Sequence, residues 1–270
     1  MKKTLSLLLV LVLTLGLGLA SANETITIGA TVPHSDILEL VREDFANLGY
    51  DMNILVVTEY PIPNPATAIG DMDANYFQHL PYLNAYNSTV DEKDQLSAVI
   101  PVHYEPYGIY GGVKTSLEDL KEGDKIAVTN DPSNETRALL LLQEAGYITL
   151  PEGTNPESGL TALDIVENPY NLEIIEMNAE LLVPALVDVD YAVINGNFAI
   201  QGGLKPGDDA LKLEDPEGDA GKLYTNYVVV HPDNSEAKWL KALATCLQSE
   251  KVKNYMLTNE AFAKGVIPVF

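Results

Sequence analysis

The stretch Lys125-Ile126-Ala127-Val128-Thr129-Asn130-Asp131-Pro132-Ser133-Asn134-Glu135-Thr136-Arg137-Ala138-Leu139-Leu140-Leu141-Leu142 decides how the rest of the chain is read. Lys125–Val128 is a short buried-strand pattern, and the polar residues 130–136 form a loop that enters a helix over Asn134–Gly146. Strand, loop and helix in that order place residues 130–137 at the carboxyl end of a strand, where ligands bind in open α/β sheets. A helix N-terminus there offers unpaired N–H groups and a partial positive charge. Arg137 is one of only two arginines in the chain, and its planar fork suits a carboxylate. The other reading is an arginine paired with a neighbouring acid such as Glu135.

Outward from this segment the same alternation continues. Strands are predicted at Thr25–Ala30, Asp51–Thr58, Ser97–Val102, Gly108–Val113, Leu172–Glu176, Tyr191–Ile194 and Tyr227–His231. Helices are predicted at Asp36–Leu48, Pro65–Ile69, Gln78–Asn87, Ser116–Leu120, Ala162–Asn168, Ala179–Val187 and Ser235–Thr258. This is an α/β pattern with mainly parallel sheets covered on both faces. Residues 150–159 and 202–221 are rich in Pro and Gly and read as surface loops. With no flexible tether, any boundary between lobes runs through strands, and Glu105–Tyr110 and Tyr224–Val228 are the candidates.

Two further clusters carry binding chemistry. Asp73-Ala74-Asn75-Tyr76-Phe77-Gln78-His79-Leu80-Pro81-Tyr82-Leu83, with Tyr60 upstream, concentrates aromatics in a chain that is 7% aromatic. Such a group forms either core or a pocket wall, and an aromatic cage also suits a thioether. Val193-Ile194-Asn195-Gly196-Asn197 ends a strand in amides, and Asn226 is of the same kind. An amide can read both ends of a zwitterion, although turn chemistry explains Asn-Gly equally well.

Composition removes several classes. The chain has 270 residues, 39 acidic and 16 basic side chains and a net charge of −23. Lys2-Lys3, the apolar run Leu5–Ala20 and the small residues Ala20-Ser21-Ala22 have the layout of a signal peptide over residues 1–22. Its removal leaves 248 residues with a net charge of −25, which argues against nucleic-acid binding. No second apolar run is long enough to span a bilayer, so the mature chain is expected to be soluble. The lone Cys246 excludes an intrachain disulfide and multi-cysteine metal centres. His34, His79, His103 and His231 lack metal-ligand spacing, and nucleophile-elbow, phosphate-loop and dinucleotide fingerprints are absent. Acidic runs at 91–94 and 214–219 read as solvated loops. No cofactor, metal or catalytic group is expected.

The segments Ile28–His34, Asp71–Leu83, Val102–Gly108, Asn130–Leu142, Asp164–Pro169 and Ala192–Asn197, in this order, resemble the methionine-binding lipoproteins of bacterial ABC importers, the NlpA lipoprotein family. The resemblance implies a two-lobed, type II periplasmic-binding-protein fold with two crossover strands and the ligand in the inter-lobe cleft. It implies residues 23–108 and 227–270 as lobe 1 and 109–226 as lobe 2. It further assigns the ligand's carboxylate to Arg137, its polar groups to Asn195 and Asn226, and its side chain to Tyr60, Phe77, His79 and Tyr82. The implied function is non-enzymatic capture of L-methionine by lobe closure for a membrane permease, by a monomer. D-methionine, a methionine-containing dipeptide or another apolar amino acid are alternatives, as is an enzyme on the same fold with His79 in an acid/base pair. A surface adhesin has no supporting feature. The chain departs from the family at the signal cleavage site, where no lipidatable cysteine lies near Ala22, implying a freely secreted or periplasmic protein. It departs again at Tyr60-Pro61-Ile62-Pro63, where the family has a more polar stretch.

Overall fold

A computed structural model describes residues 23–216 and 219–270; the expected signal peptide lies outside them. The chain begins with β1 (Glu24–Ala30), α1 (His34–Asn47), β2 (Tyr50–Val56), α2 (Pro63–Ala68), β3 (Ala74–His79), α3 (Leu80–Asn87) and β4 (Ser97–Tyr104). It continues through β5 (Gly108–Gly111), β6 (Lys125–Thr129), α4 (Pro132–Glu144), β7 (Glu173–Met177), α5 (Leu182–Ala185), β8 (Tyr191–Ile194), α6 (Gly196–Gln201), α7 (Pro206–Asp209) and β9 (Ala210–Leu213). It ends with α8 (Asp219–Leu223), β10 (Thr225–Val230), α9 (Lys238–Leu247), α10 (Glu250–Thr258) and β11 (Ile267–Pro268).

Two sheets result, ordered β11-β4-β10-β3-β1-β2 and β7-β6-β8-β5-β9. The chain leaves the first sheet across residues 105–107 and returns across 214–224. Both sheets are mixed, which corrects the expectation of mainly parallel ones. β1 is parallel to β2 and β3, and β6 to β7 and β8. β10 runs antiparallel between β3 and β4, and β5 antiparallel between β8 and β9. The pairing of β10 with β3 joins Asn226 to His79. No local pattern records the direction of a partner that far along the chain.

The apolar residues of β1, β3, β4 and β10 form one core with α1, α9 and α10, and those of β5, β6 and β8 form another with α4. A third cluster joins the two halves, with Tyr60 and Phe77 packed near Tyr110, Ile194 and Phe198. The start of α4 follows the chemistry of its sequence. Asp131 caps it by accepting from the Asn134 N–H at 3.1 Å, and Pro132 occupies the first turn, where its missing N–H does no harm.

Three further expectations change. The helix predicted from Gln78 starts at Leu80, because Gln78 and His79 complete β3, a strand buried along its whole length. It escapes a hydrophobicity reading because Asn75 and Gln78 are buried by pairing with Asn64. The predicted helix Ser235–Thr258 breaks before Ser249, whose hydroxyl caps α10. The predicted loop 202–221 contains α7 and β9. Among the described residues, no helix is long and apolar enough to cross a membrane.

Candidate functional site

Between the two sheets, a narrow cavity is lined by all seven residues singled out from the sequence: Tyr60, Phe77, His79, Tyr82, Arg137, Asn195 and Asn226. Gln78, Glu105, Asn134, Gly196 and Asn197 complete the lining.

Arg137, on the second turn of α4, is held differently from the sequence expectation. Its Nε donates to Glu214 Oε1 at 2.8 Å, while Nη2 donates to Glu214 Oε2 and to the Glu105 carbonyl at 2.8 Å. The guanidinium centre lies 3.8 Å from the Tyr224 ring centroid and 4.5 Å from that of Tyr107. Three of the five N–H groups are thereby used, leaving the two on Nη1. The partner acid is therefore Glu214 and not Glu135, whose Oε1 accepts from the Ala162 N–H. The expectation that the 214–219 run is a solvated loop also fails at Glu214, which is 7% exposed. It accepts from the Tyr104 hydroxyl at 2.7 Å and the Tyr107 N–H at 2.9 Å as well. Burial alone would raise the Glu214 carboxyl, but the charge and hydrogen bonds of Arg137 outweigh it and hold the group below its ordinary value.

At the other end of the cavity, the rings of Tyr60, Phe77 and Tyr82 form a nearly equilateral triangle, with centroids 5.6–5.7 Å apart. The cluster packs as core and also lines the cavity. Tyr60 and Phe77 belong to the apolar cluster that joins the halves and also face the cavity. His79 is kept neutral, since burial pulls it down to about 3. Its Nδ1 accepts from the Tyr82 N–H at 3.2 Å, so Nε2–H donates to Asn134 Oδ1 at 2.9 Å. With both nitrogens engaged, it offers the cavity a face and no acid/base group.

Two lining residues also carry polar atoms without partners. Asn195 Oδ1 and Asn197 Nδ2 are buried and unpaired, while Asn197 Oδ1 accepts from the Tyr60 hydroxyl. An unsatisfied buried polar group costs about 1–3 kcal/mol, so an acceptor and a donor left at one cavity mark a place for a polar ligand. Glu105 adds a carboxyl pushed up by burial, which the Arg137 charge and the Asn197 N–H partly oppose. Its Oε1 is 2.8 Å from His103 Nε2. Glu105, Asn197 and Glu214 were not singled out as site residues from the sequence. Glu105 stood in a quoted crossover segment, and Asn197 beside Asn195. Nothing local marks Glu214.

Gly196 is needed for space. A Cβ there would lie 2.7 Å from the Glu105 Cβ, so the amide turn and the 105–107 crossing touch backbone against side chain. Gly196→Ala is expected to weaken ligand binding about tenfold by displacing Glu105. Calorimetric titration checks this, and an unchanged affinity would mean that the contact relaxes freely.

The family profile described as NlpA lipoprotein matches residues 26–270. The chain belongs to the NlpA lipoprotein family. Within it, the D-methionine-binding lipoprotein MetQ of Escherichia coli K12 is 37% identical over 246 residues, covering 90% of this chain and 86% of that one. The methionine-binding lipoprotein MetQ of Bacillus subtilis is 34% identical over 248 residues, covering 91% and 88%. Among solved structures, a nutrient binding protein from Burkholderia cenocepacia bound to methionine superposes with a TM-score of 0.84 at 36% identity, covering 91% of this chain and all of that one. A periplasmic substrate-binding protein of an ABC transporter from Coxiella burnetii gives 0.81 at 38%, covering 90% and 100%. The NlpA lipoprotein fold is two-lobed, and its members bind a substrate without transforming it. This chain is accordingly a binding protein and not an enzyme.

Proposed function

We propose that the protein is the extracytoplasmic receptor of an ABC importer and takes L-methionine into the cavity between its sheets. The observation that carries this reading is the division of one cavity into two chemistries. An aromatic triangle at one end suits a flexible thioether, with sulfur–ring contacts of about 0.3–1.5 kcal/mol. At the other end, Arg137 Nη1 would take the α-carboxylate, while Glu105 and Asn195 Oδ1 would take the α-ammonium. Asn226 would contribute its amide. Relatives named for methionine binding, and a similar structure holding methionine, support the ligand class.

Lobe 1 would comprise residues 23–108 and 227–270, and lobe 2 residues 109–226, closing about the crossings near 105–107 and 214–224. The side-chain bonds that cross between the lobes include Tyr60 to Asn197, His79 to Asn134, and Asn84 Nδ2 to Glu157 Oε1 at 2.9 Å. Closing would form them around the ligand, and a permease would read the closed shape. We place the chain in the cell envelope, as a monomer without nucleic-acid partners. Cys246 is packed in the core of the first sheet, where it cannot serve as a lipid attachment point.

The Escherichia coli relative is named for D-methionine, so the D-isomer is the second reading. Mass spectrometry of ligand released from denatured, never-refolded protein, followed by titration of the stripped protein with both isomers, tests the proposal. Tight rebinding of L-methionine is expected. Preference for the D-isomer, a dipeptide or another amino acid would change the substrate, and binding of no amino acid would end the reading.

A further inference from the structure

His34 and His103 stand fully buried behind the cavity, and the reading above uses neither. With Glu105 they bring three potential metal-ligand atoms within 4.8 Å of one another. Yet His103 Nε2 and Glu105 Oε1 are only 2.8 Å apart. Two ligands of one tetrahedral ion with bonds near 2.0–2.1 Å would sit about 3.3 Å apart, so this contact is a hydrogen bond. The cluster is a polar network, and its connections lead to the ligand cavity.

His34 is the first residue of α1. Its Nδ1 is 3.0 Å from Thr31 Oγ1 and its Nε2 is 3.2 Å from Asn226 Oδ1. Burial pulls the ring down to about 4, so at neutral pH it is uncharged and carries one N–H. A carboxamide oxygen can only accept, which places the proton on Nε2 and leaves Nδ1 to accept from the Thr31 hydroxyl. An amide whose oxygen is held on one side must turn its NH2 to the other. Asn226 lines the cavity, and its Nδ2 has no hydrogen-bond partner among the described residues.

We propose that His34 is a positioning residue: by donating from Nε2 to Asn226 Oδ1, it fixes the Asn226 amide with Nδ2 toward the cavity, committing Asn226 to an anionic ligand group. Asn226 then joins Arg137 Nη1 as a donor to the α-carboxylate, while Glu105 and Asn195 Oδ1 remain the acceptors for the α-ammonium. A zwitterion fits this division in one orientation only. Without His34 the amide could rotate and present its oxygen, and the donor count facing the carboxylate would fall. This inference rests on the methionine reading of the cavity.

Glutamine can place an N–H close to the imidazole Nε2 position, whereas leucine cannot donate. His34→Leu in the full-length mature protein is expected to weaken L-methionine binding about tenfold or more, and L-methioninamide, which lacks the carboxylate, by less than about threefold. His34→Gln should restore methionine affinity to within about threefold of the parent. Equal losses for both ligands, or no rescue by glutamine, would overturn the proposal. A second measurement needs neither ligand nor the leucine variant. Long-range 15N–1H correlation of the unsubstituted protein, with the His34 ring assigned by its loss in His34→Gln, should find the proton on Nε2. A proton on Nδ1 would refute the amide orientation and leave methionine binding standing. Failure of the unsubstituted protein to bind methionine would instead sink the proposed function, and the ring measurement would still decide the orientation.

Discussion

Arg137→Ala is expected to reduce methionine affinity by about 2–5 kcal/mol, the scale on which a desolvated charge loses its partner. That is a weakening from about thirtyfold to a few thousandfold. The carboxylate of the ligand would lose the Nη1 donors and the only cationic side chain among the described residues that line the cavity. A second consequence follows from Glu214, whose carboxylate would be left buried without its bidentate partner. Breaking such a pair by removing one member destabilises proteins by roughly 3–5 kcal/mol. The two effects are separable. The double variant Arg137→Ala with Glu214→Gln removes the orphaned charge, and should regain stability without regaining affinity. Calorimetric titration beside thermal melting reads both quantities. A folded Arg137→Ala protein with parental affinity would take Arg137 out of the binding site.

Glu214→Ala should produce the largest loss of stability, again about 3–5 kcal/mol, because it strands a buried guanidinium. At about 2–4 °C per kcal/mol for a chain of this size, the melting temperature should fall by roughly 6–20 °C. The carboxylate binds more than Arg137. It holds the Tyr104 hydroxyl and the Tyr107 N–H, while its own N–H donates to the Tyr107 carbonyl at 2.9 Å. Glu214 thus knots the two crossings together at one point. The folded pKa is lowered, so this stabilisation is complete above the ordinary glutamate value near 4.3 and is lost as pH falls through the lowered folded value. Denaturant unfolding of the parent and Glu214→Gln at pH 7, 5 and 3.5 should show the stability gap narrowing toward the acid end. A gap that stays constant to pH 3.5 would mean that the ionised carboxylate is not what matters.

Arg137 was visible in the sequence because a rare residue followed a strand and a capped helix start, and both signals are local. Its partner was not, since Glu214 lies 77 residues away in a stretch whose acids look solvated. Pairing beyond the local window, though over only 11–14 residues, also hides β3, whose buried amides are satisfied by Asn64 of α2 and so never form an apolar run. The aromatic cluster was legible as a group but not as pocket or core, because residues that join two halves of a molecule serve as both. His34 carries no local signal of its role. Its partner Asn226 is 192 residues distant, and no spacing rule reaches that far. Propensity and capping placed the elements, whereas long-range polar pairing determined which side chains remain for a ligand.

The polar end of the cavity is assembled where the chain changes sheets: Glu105 lies in one crossing, Asn226 begins the strand after the other, and Arg137 is moored to Glu214. The aromatic triangle is carried by other elements, α3, β3 and the turn before α2. Retargeting this scaffold to another amino acid is therefore a matter of Tyr60, Phe77 and Tyr82, although exchanging Tyr60 or Phe77 also alters the apolar cluster that joins the halves. Redesigning it for ligands that lack the amino-acid head group would mean rebuilding the joint itself.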